Sequence, residues 1–448
     1  MSPRASTVSP DKSAIELHIC PRTLQCRMLP RHAAAHLADL ARWYPVVAIT
    51  GPRQSGKTTL ARTTFAGLPY VSLEDHDVRG SALADPRGFL ALYPDGAVID
   101  EAQHAPPLFA YLQTRVDDDR LAGLRPGRQG SGRKSSLWVL TGSQHFGLIE
   151  AITQSLAGRV GLMHLLPLSL GELQDARDKG AKWALPALLW QGLYPGVVAG
   201  GVPPTVWYAD YVATYIERDL RQVVNVRDLA PFRTFLRMCA ARCSQQLNLS
   251  ALAVDCGVTT NTARAWLSAL EASYIVYLLP QHHVNYGKRL VKAPKLYFYD
   301  TGLAAWLAGL RSADELALSS LRGPLFETWA LAEAIKVRSN FRLAPSMHYW
   351  RDKTGVEVDL LLDAGTSLSA VEFKAGQTVA DDWFAPMKRY RALHAERVGD
   401  GPQLLPSTLV YGGEEPRTRS GFAIQPWRRW PAVVRRLLGT SAPELTAG

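Results

Sequence analysis

The first sustained apolar run of the chain is Val46-Val47-Ala48-Ile49-Thr50, a block of β-branched and small residues without polar alternation. Such a block predicts a strand covered on both faces, as in a parallel sheet. A short amphipathic helix is predicted over 32–43, and a glycine-rich turn follows the strand directly. Apolar runs at 70–73, Gly96–Asp100 and Leu137–Thr141 predict further strands, with helical stretches between them. Strands alternating with helices predict an α/β region built on a parallel sheet. A loop dense in Gly, Arg, Lys and Ser (121–136) interrupts this region without ending it. After about Glu172 the period changes, and 208–220 and 229–242 carry apolar residues at three- and four-residue spacing. From Phe326 a helix and then alternating strands predict another α/β region. The expected division is an extension rich in Ser, Pro and Arg over 1–30, a sheet region over 31–172, a helical region over 173–310 and a second α/β region over 311–448.

Composition adds constraints. At 448 residues, with 47% hydrophobic and 20% charged residues, the chain has globular proportions and enough length for two or three cores. Fifty Lys and Arg against forty Asp and Glu give a formal charge of +10, which favours polyanionic partners. The five cysteines are irregularly spaced and include no CxxC pair, so neither a disulfide framework nor a zinc site is predicted. The amino terminus has no apolar signal core, and the most apolar stretch, 184–202, is broken by Gln191, Pro195 and glycines. The expectation is a cytoplasmic protein with no membrane span.

The turn after the first strand reads Gly51-Pro52-Arg53-Gln54-Ser55-Gly56-Lys57-Thr58 and satisfies GxxxxGK[ST], with a helix predicted to begin near Thr59. Its glycines let backbone N–H groups curl around phosphate oxygens. Lys57 reaches the outer phosphates and the Thr58 hydroxyl ligates Mg2+, so ATP and Mg2+ are the expected cofactors. The strand Ala97-Val98-Ile99 then ends in two acids. Asp100 suits the outer shell of that magnesium, and Glu101 suits a general base that polarises the attacking water. A third strand ends at Thr141-Gly142-Ser143-Gln144, where Ser143 is placed to sense the terminal phosphate.

Taken in order, GPRQSGKTTL, IDEAQ, LTGSQ, SLAGR, TYIERDL and KLYFYDTGL resemble the prokaryotic AAA+ ATPases that carry a C-terminal domain of unknown function. The resemblance covers about residues 30 to 430. It implies ATP hydrolysis by a homo-oligomer, with a hexamer as the expected ring, and makes Arg159 the arginine finger candidate, with Arg218 a second. A structural, helix-capping arginine is the other reading of Arg159.

Two further resemblances follow along the chain. The stretch from Leu247 reads as helix, Gly257 turn, helix and strand, with Ser250 and Thr259 or Thr260 as caps, and resembles a winged helix-turn-helix. It would offer Arg264, with Lys288, Arg289 and Lys292 of the wing, to DNA; packing or subunit contact is the alternative use. In the last region Glu327 on a helix, Asp359 on a strand and Glu372-Phe373-Lys374 on the next strand follow the pattern of PD-(D/E)XK nucleases. That resemblance implies a restriction-nuclease-like α/β fold in which Glu327, Asp359 and Glu372 gather a metal and Lys374 stabilises developing charge. The strand reads VEVD where the motif would have Pro-Asp. Three functions stay open: an ATPase coupled to DNA binding or remodelling, a nucleotide switch or scaffold acting on a protein partner, and an ATP-regulated nuclease.

Overall fold

A computed structural model describes residues 29–124, 135–142, 152, 154–176, 183–220, 229–282, 293–343, 346–396 and 402–438. Ser143, Gln144, Lys288, Arg289 and Lys292, together with the side chain of Arg218, lie outside the described residues.

Five strands form the first sheet: β1 (Val46–Thr50), β2 (Tyr70–Ser72), β3 (Gly96–Asp100), β4 (Leu137–Thr141) and β5 (Val160–His164). Their order is β2-β3-β4-β1-β5 and every pairing is parallel. All residues of β1 and β3 are buried, the burial that their unbroken apolar runs predict. Alternate residues serve opposite layers: Val46 and Ala48 pack with the Pro107–Leu121 helix side, and Val47 and Ile49 pack against the Ala33–Trp43 and Lys57–Thr64 helices.

The middle of the chain is helical over Leu185–Gln191, Pro195–Ala199 and Pro204–Tyr211, and a wider π-turn runs over Val212–Leu220. Then come the Leu229–Ala241 helix, β6 (Gln245–Gln246), the Leu249–Asp255 and Thr260–Ala272 helices, β7 (Val276–Leu279) and β8 (Lys295–Phe298). The last three strands make a small antiparallel sheet, β6-β8-β7. Thr259 caps its helix by accepting from the Thr262 N–H. The preceding helix is capped by Asn248, which accepts from the Ala251 N–H, and not by Ser250; the helix begins two residues earlier than the sequence suggests.

In the last region the long Arg322–Asn340 helix is followed by β9 (Met347–Arg351), β10 (Glu357–Asp363) and β11 (Ser367–Lys374), then the Ala385–Ala395 helix, β12 (Gln403–Leu404), β13 (Thr408–Tyr411), β14 (Arg417–Arg419) and β15 (Phe422–Pro426). β9, β10 and β11 are antiparallel neighbours, and β13 adds parallel to β11. The Trp430–Leu437 helix closes the unit, its Trp430 indole donating to the Ala330 carbonyl at 2.7 Å. One hydrophobic core runs without a break from Leu166 through the middle helices to Val434. Cys239, Cys243 and Cys256 are free and buried. Among the described residues no helix is long and apolar enough to cross a membrane.

Candidate functional site

β1, β3 and β4 end side by side, so the sheet order places the phosphate-binding turn, the Asp100-Glu101 pair and Thr141 along one edge. The turn needs its glycines. Gly51 has φ 144°, and a Cβ there would lie 2.1 Å from the Leu165 carbonyl oxygen; Gly56 has φ 93°. Gln54 also adopts positive φ (60°), leaving a loop bent by backbone geometry at several positions. The Lys57–Thr64 helix starts at the lysine itself.

Within this cradle Thr58 donates its hydroxyl to Asp100 at 2.9 Å (Oδ1) and 3.1 Å (Oδ2). Asp100 also accepts from the Tyr70 hydroxyl at 2.9 Å and from the Thr141 hydroxyl. The loop threonine and the acid at the end of β3 are therefore already in register. Lys57 is buried and donates to two neutral acceptors, the carbonyls of Gly51 (3.1 Å) and Pro52 (2.8 Å). Burial pushes its ammonium down to about 8, against the opposing pull of Glu101 and Asp100. Glu101 leaves β3 in the left-handed region (φ 52°) and accepts from the Gln103 side chain. Strain held at one residue beside a reactive group is a mark of functional geometry.

Residues from far along the chain brace the loop. Arg31 donates to the Ser55 carbonyl (2.6 Å) and the Leu166 carbonyl (2.7 Å), and its Nε pairs with the buried Glu172 at 3.0 Å. Glu172 is held below the usual carboxylate range: burial would raise it, and Arg31 with the Ser169 N–H outweighs that. At the loop's entry, Thr50, His164 and Tyr274 form a triangle of hydrogen bonds of 2.7, 3.2 and 2.6 Å. The Arg53 guanidinium lies over the Tyr215 ring, 5.5 Å from its centre. None of Arg31, Glu172, Tyr274 or Tyr70 has a local motif that could have singled it out; the only sequence signal was the strand positions of Tyr70 and Thr141.

Arg159 lies elsewhere. It forms a two-pronged pair with Asp117, at 2.8 Å from both Nε and Nη2. Val160 is in register with Val46, the first residue of β1, so Arg159 sits at the end of the sheet opposite the loop, one five-residue strand or roughly 15 Å away. Arg264 is exposed on the Thr260–Ala272 helix, as is Asn261.

In the last region the structure brings Glu327, Asp359, Glu372 and Lys374 together. Lys374 pairs with Glu372 Oε1 at 2.7 Å, and Asp359 Oδ2 accepts from the Phe373 N–H at 2.9 Å. Two residues missed by the nuclease-like pattern join them: Glu357, and Lys295 from β8, whose Nζ lies 2.8 Å from Glu327 Oε1 and 2.5 Å from Glu357 Oε1. Burial, then Asp359, pushes Glu327 up to about 7 and Glu372 well above the usual range. Burial alone would lower Lys295, but Glu327 and the other anions around it hold it well above its ordinary value.

The parallel sheet, the glycine cradle and the Lys57–Thr58–Asp100 arrangement define a P-loop ATPase domain of the AAA type, and residues 44–174 match the family model of the AAA domain. Residues 182–314 and 322–430 match two domains of unknown function, DUF8612 and DUF4143. The chain belongs to one family with the uncharacterized proteins Mb2031c of Mycobacterium bovis and Rv2008c of Mycobacterium tuberculosis: each is 32% identical over 359 residues, spanning 79% of this chain and 76% of the relative. Among solved structures, the Walker-type ATPase PABY2304 of Pyrococcus abyssi is 14% identical with a TM-score of 0.37, covering 61% of this chain and 94% of that one. The ORC2 protein of Aeropyrum pernix in its ADPNP-ADP complexes is 16% identical with a TM-score of 0.32, covering 55% and 86%. Scores this low carry no inference for this chain.

Proposed function

We propose that the protein binds ATP with Mg2+ at Gly51–Thr59, hydrolyses it, and couples the reaction to binding or remodelling DNA. The observation that carries the reading is the pre-set bond between the Thr58 hydroxyl and Asp100, with Lys57 waiting on neutral carbonyls. Thr58 and Asp100 would hold the metal, which supplies charge neutralisation of the phosphates when bound. The loop N–H groups and Lys57 bind the phosphates. Glu101 takes the proton of the attacking water, and Ser143 senses the terminal phosphate.

Arg159 at the far end of its own sheet supports a finger only for a neighbouring subunit, and so a homo-oligomer, with a hexameric ring as the expected assembly. The helix, helix and antiparallel-sheet order over 229–298 supports the winged helix-turn-helix reading, with exposed Arg264 and the Lys288, Arg289 and Lys292 wing toward DNA. The helix, three antiparallel strands, helix and parallel strand over 322–411 support the restriction-nuclease-like fold. The division into an ATPase core (31–172), a helical and winged region (173–310) and a last α/β region (311–448) fits the family matches.

The test is the steady-state ATPase rate with Mg2+, alone and with single-stranded, duplex, forked and four-way-junction DNA, with Lys57→Ala as the blank. Strong stimulation by one DNA form is expected and names the substrate. Turnover indifferent to all of them would favour a nucleotide switch acting on a protein partner.

A further inference from the structure

The nuclease-like unit implies a divalent cation among Glu327, Asp359 and Glu372, and the residues present do not fit one. We infer that Lys295, delivered from β8 of the small middle sheet, takes the place of that metal, so that the chain neutralises its own carboxylates and the cluster takes up no divalent cation in this arrangement.

The geometry supports this in three ways. First, the Lys295 ammonium is in direct contact with two carboxylates, Glu327 at 2.8 Å and Glu357 at 2.5 Å, and lies 4.0 Å from a third, Asp359. A magnesium ion needs its oxygens to converge at about 2.1 Å on one point in octahedral array, and the ammonium already stands between Glu327 and Asp359, two of the acids that would have to supply them. Second, one oxygen of each of the three acids is committed to a donor. Glu327 Oε1 accepts from both Lys295 and the Tyr297 hydroxyl (2.6 Å), Asp359 Oδ2 accepts from the Phe373 N–H, and Glu372 Oε1 accepts from Lys374. Of the oxygens left over, Glu372 Oε2 is buried with no partner. Among the described residues no three His, Cys, Asp or Glu side chains are grouped to hold a metal. Third, Lys295 is 3% exposed, so its ammonium is buried among these groups. Lys295 and Tyr297 share one face of β8, so strand alternation aims both at Glu327.

A tethered ammonium balances charge but leaves no open position for water, so it activates no nucleophile. The last α/β unit is therefore a scaffold pinned to the middle sheet by an internal cation, and its three acids do not cut a phosphodiester. This holds whether or not the P-loop turns over ATP.

The test is Mn2+ binding followed by electron paramagnetic resonance on the full, nucleotide-free chain carrying Thr58→Ala, which removes the P-loop ligand. With Lys295 present, no stoichiometric Mn2+ is expected; Lys295→Ala should gain about one bound Mn2+ per chain, lost again on adding Asp359→Asn. If Lys295→Ala does not fold, Lys295→Gln keeps the chain length without the charge and is read the same way. Mn2+ bound by the Lys295-containing chain and abolished by Asp359→Asn would overturn the inference without any substitution at 295. Failure of both 295 variants to gain Mn2+ would overturn it as well.

Discussion

The P-loop and the acidic cluster of the last unit each bury a lysine near carboxylates, and they use it in opposite ways. Lys57 rests on two backbone carbonyls while Asp100 is occupied by hydroxyls. Lys295 is spent on Glu327 and Glu357 directly. Burial pushes Lys57 down to about 8 despite the pull of Glu101 and Asp100, whereas Lys295, also buried, is held above its ordinary value by the anions around it. A site that awaits an anionic ligand keeps its charge in reserve. A site whose lysine is already paired with carboxylates keeps no charge in reserve.

That contrast can be broken at several points. The largest expected effect is on chemistry: Glu101→Gln should retain ATP binding and lose turnover by about 10²- to 10⁴-fold, read by equilibrium binding beside single-turnover hydrolysis. Unchanged hydrolysis would remove Glu101 as the base. Next comes stability without nucleotide, measured by urea unfolding at pH 7. Lys295→Met should cost about 3–5 kcal/mol, because Glu327, Glu357 and the buried Asp359 lose their cation. Lys57→Met should be neutral or stabilising, since it removes a buried charge that the empty loop holds at a disadvantage. Equal losses at the two positions would dissolve the comparison.

The pH dependence sharpens it further. Free Lys57 is half-protonated near pH 8, and the phosphate-bound form requires the proton, so binding above that pH must take one up. ADP affinity should be flat below about pH 7.5 and fall toward tenfold per pH unit above about 8, a slope that Lys57→Ala abolishes. The smallest effect expected is at the loop's entry. Tyr274→Phe removes hydrogen bonds to Thr50 and His164 and should weaken ADP binding by about 1 kcal/mol in isothermal titration calorimetry, with little change in folding stability.

These linkages give the nucleotide loop routes to the rest of the molecule. Gly51 packs on the Leu165 carbonyl, and the segment just beyond is held by the long Arg322–Asn340 helix: Lys336 donates to the Leu168 carbonyl at 2.9 Å, Glu333 accepts from the Leu170 N–H at 2.8 Å, and Ser339 donates to the His164 carbonyl at 2.6 Å. Tyr274, at the start of the small middle sheet and in a left-handed conformation (φ 57°), touches the last residue of β1. The loop thus connects to both the middle and the last region within a few residues.

Much of the nucleotide site was legible because its information is local. The apolar run of β1, the glycines and Lys57-Thr58 are contiguous, and the strand ending in Asp100 announces itself by pattern. The strand boundaries at Gly96–Asp100 and Leu137–Thr141 matched for the same reason. In the last unit the spacing of Glu327, Asp359, Glu372 and Lys374 brought four residues to one place but left out the charge among them. Lys295 lies 32 positions from Glu327 along the chain, in a phrase whose likeness to the family assigns the lysine no partner, and Arg31 reaches Glu172 across 141.

The sequence by itself therefore determined where a phosphate-binding loop and its acid stand, since backbone torsion, strand period and helix start are set by neighbours a few residues apart. Only the tertiary structure decided which lysine remains in reserve and which is neutralised. The state of a buried charge depends on the partners that folding brings to within a few ångströms, and those come from any distance along the chain.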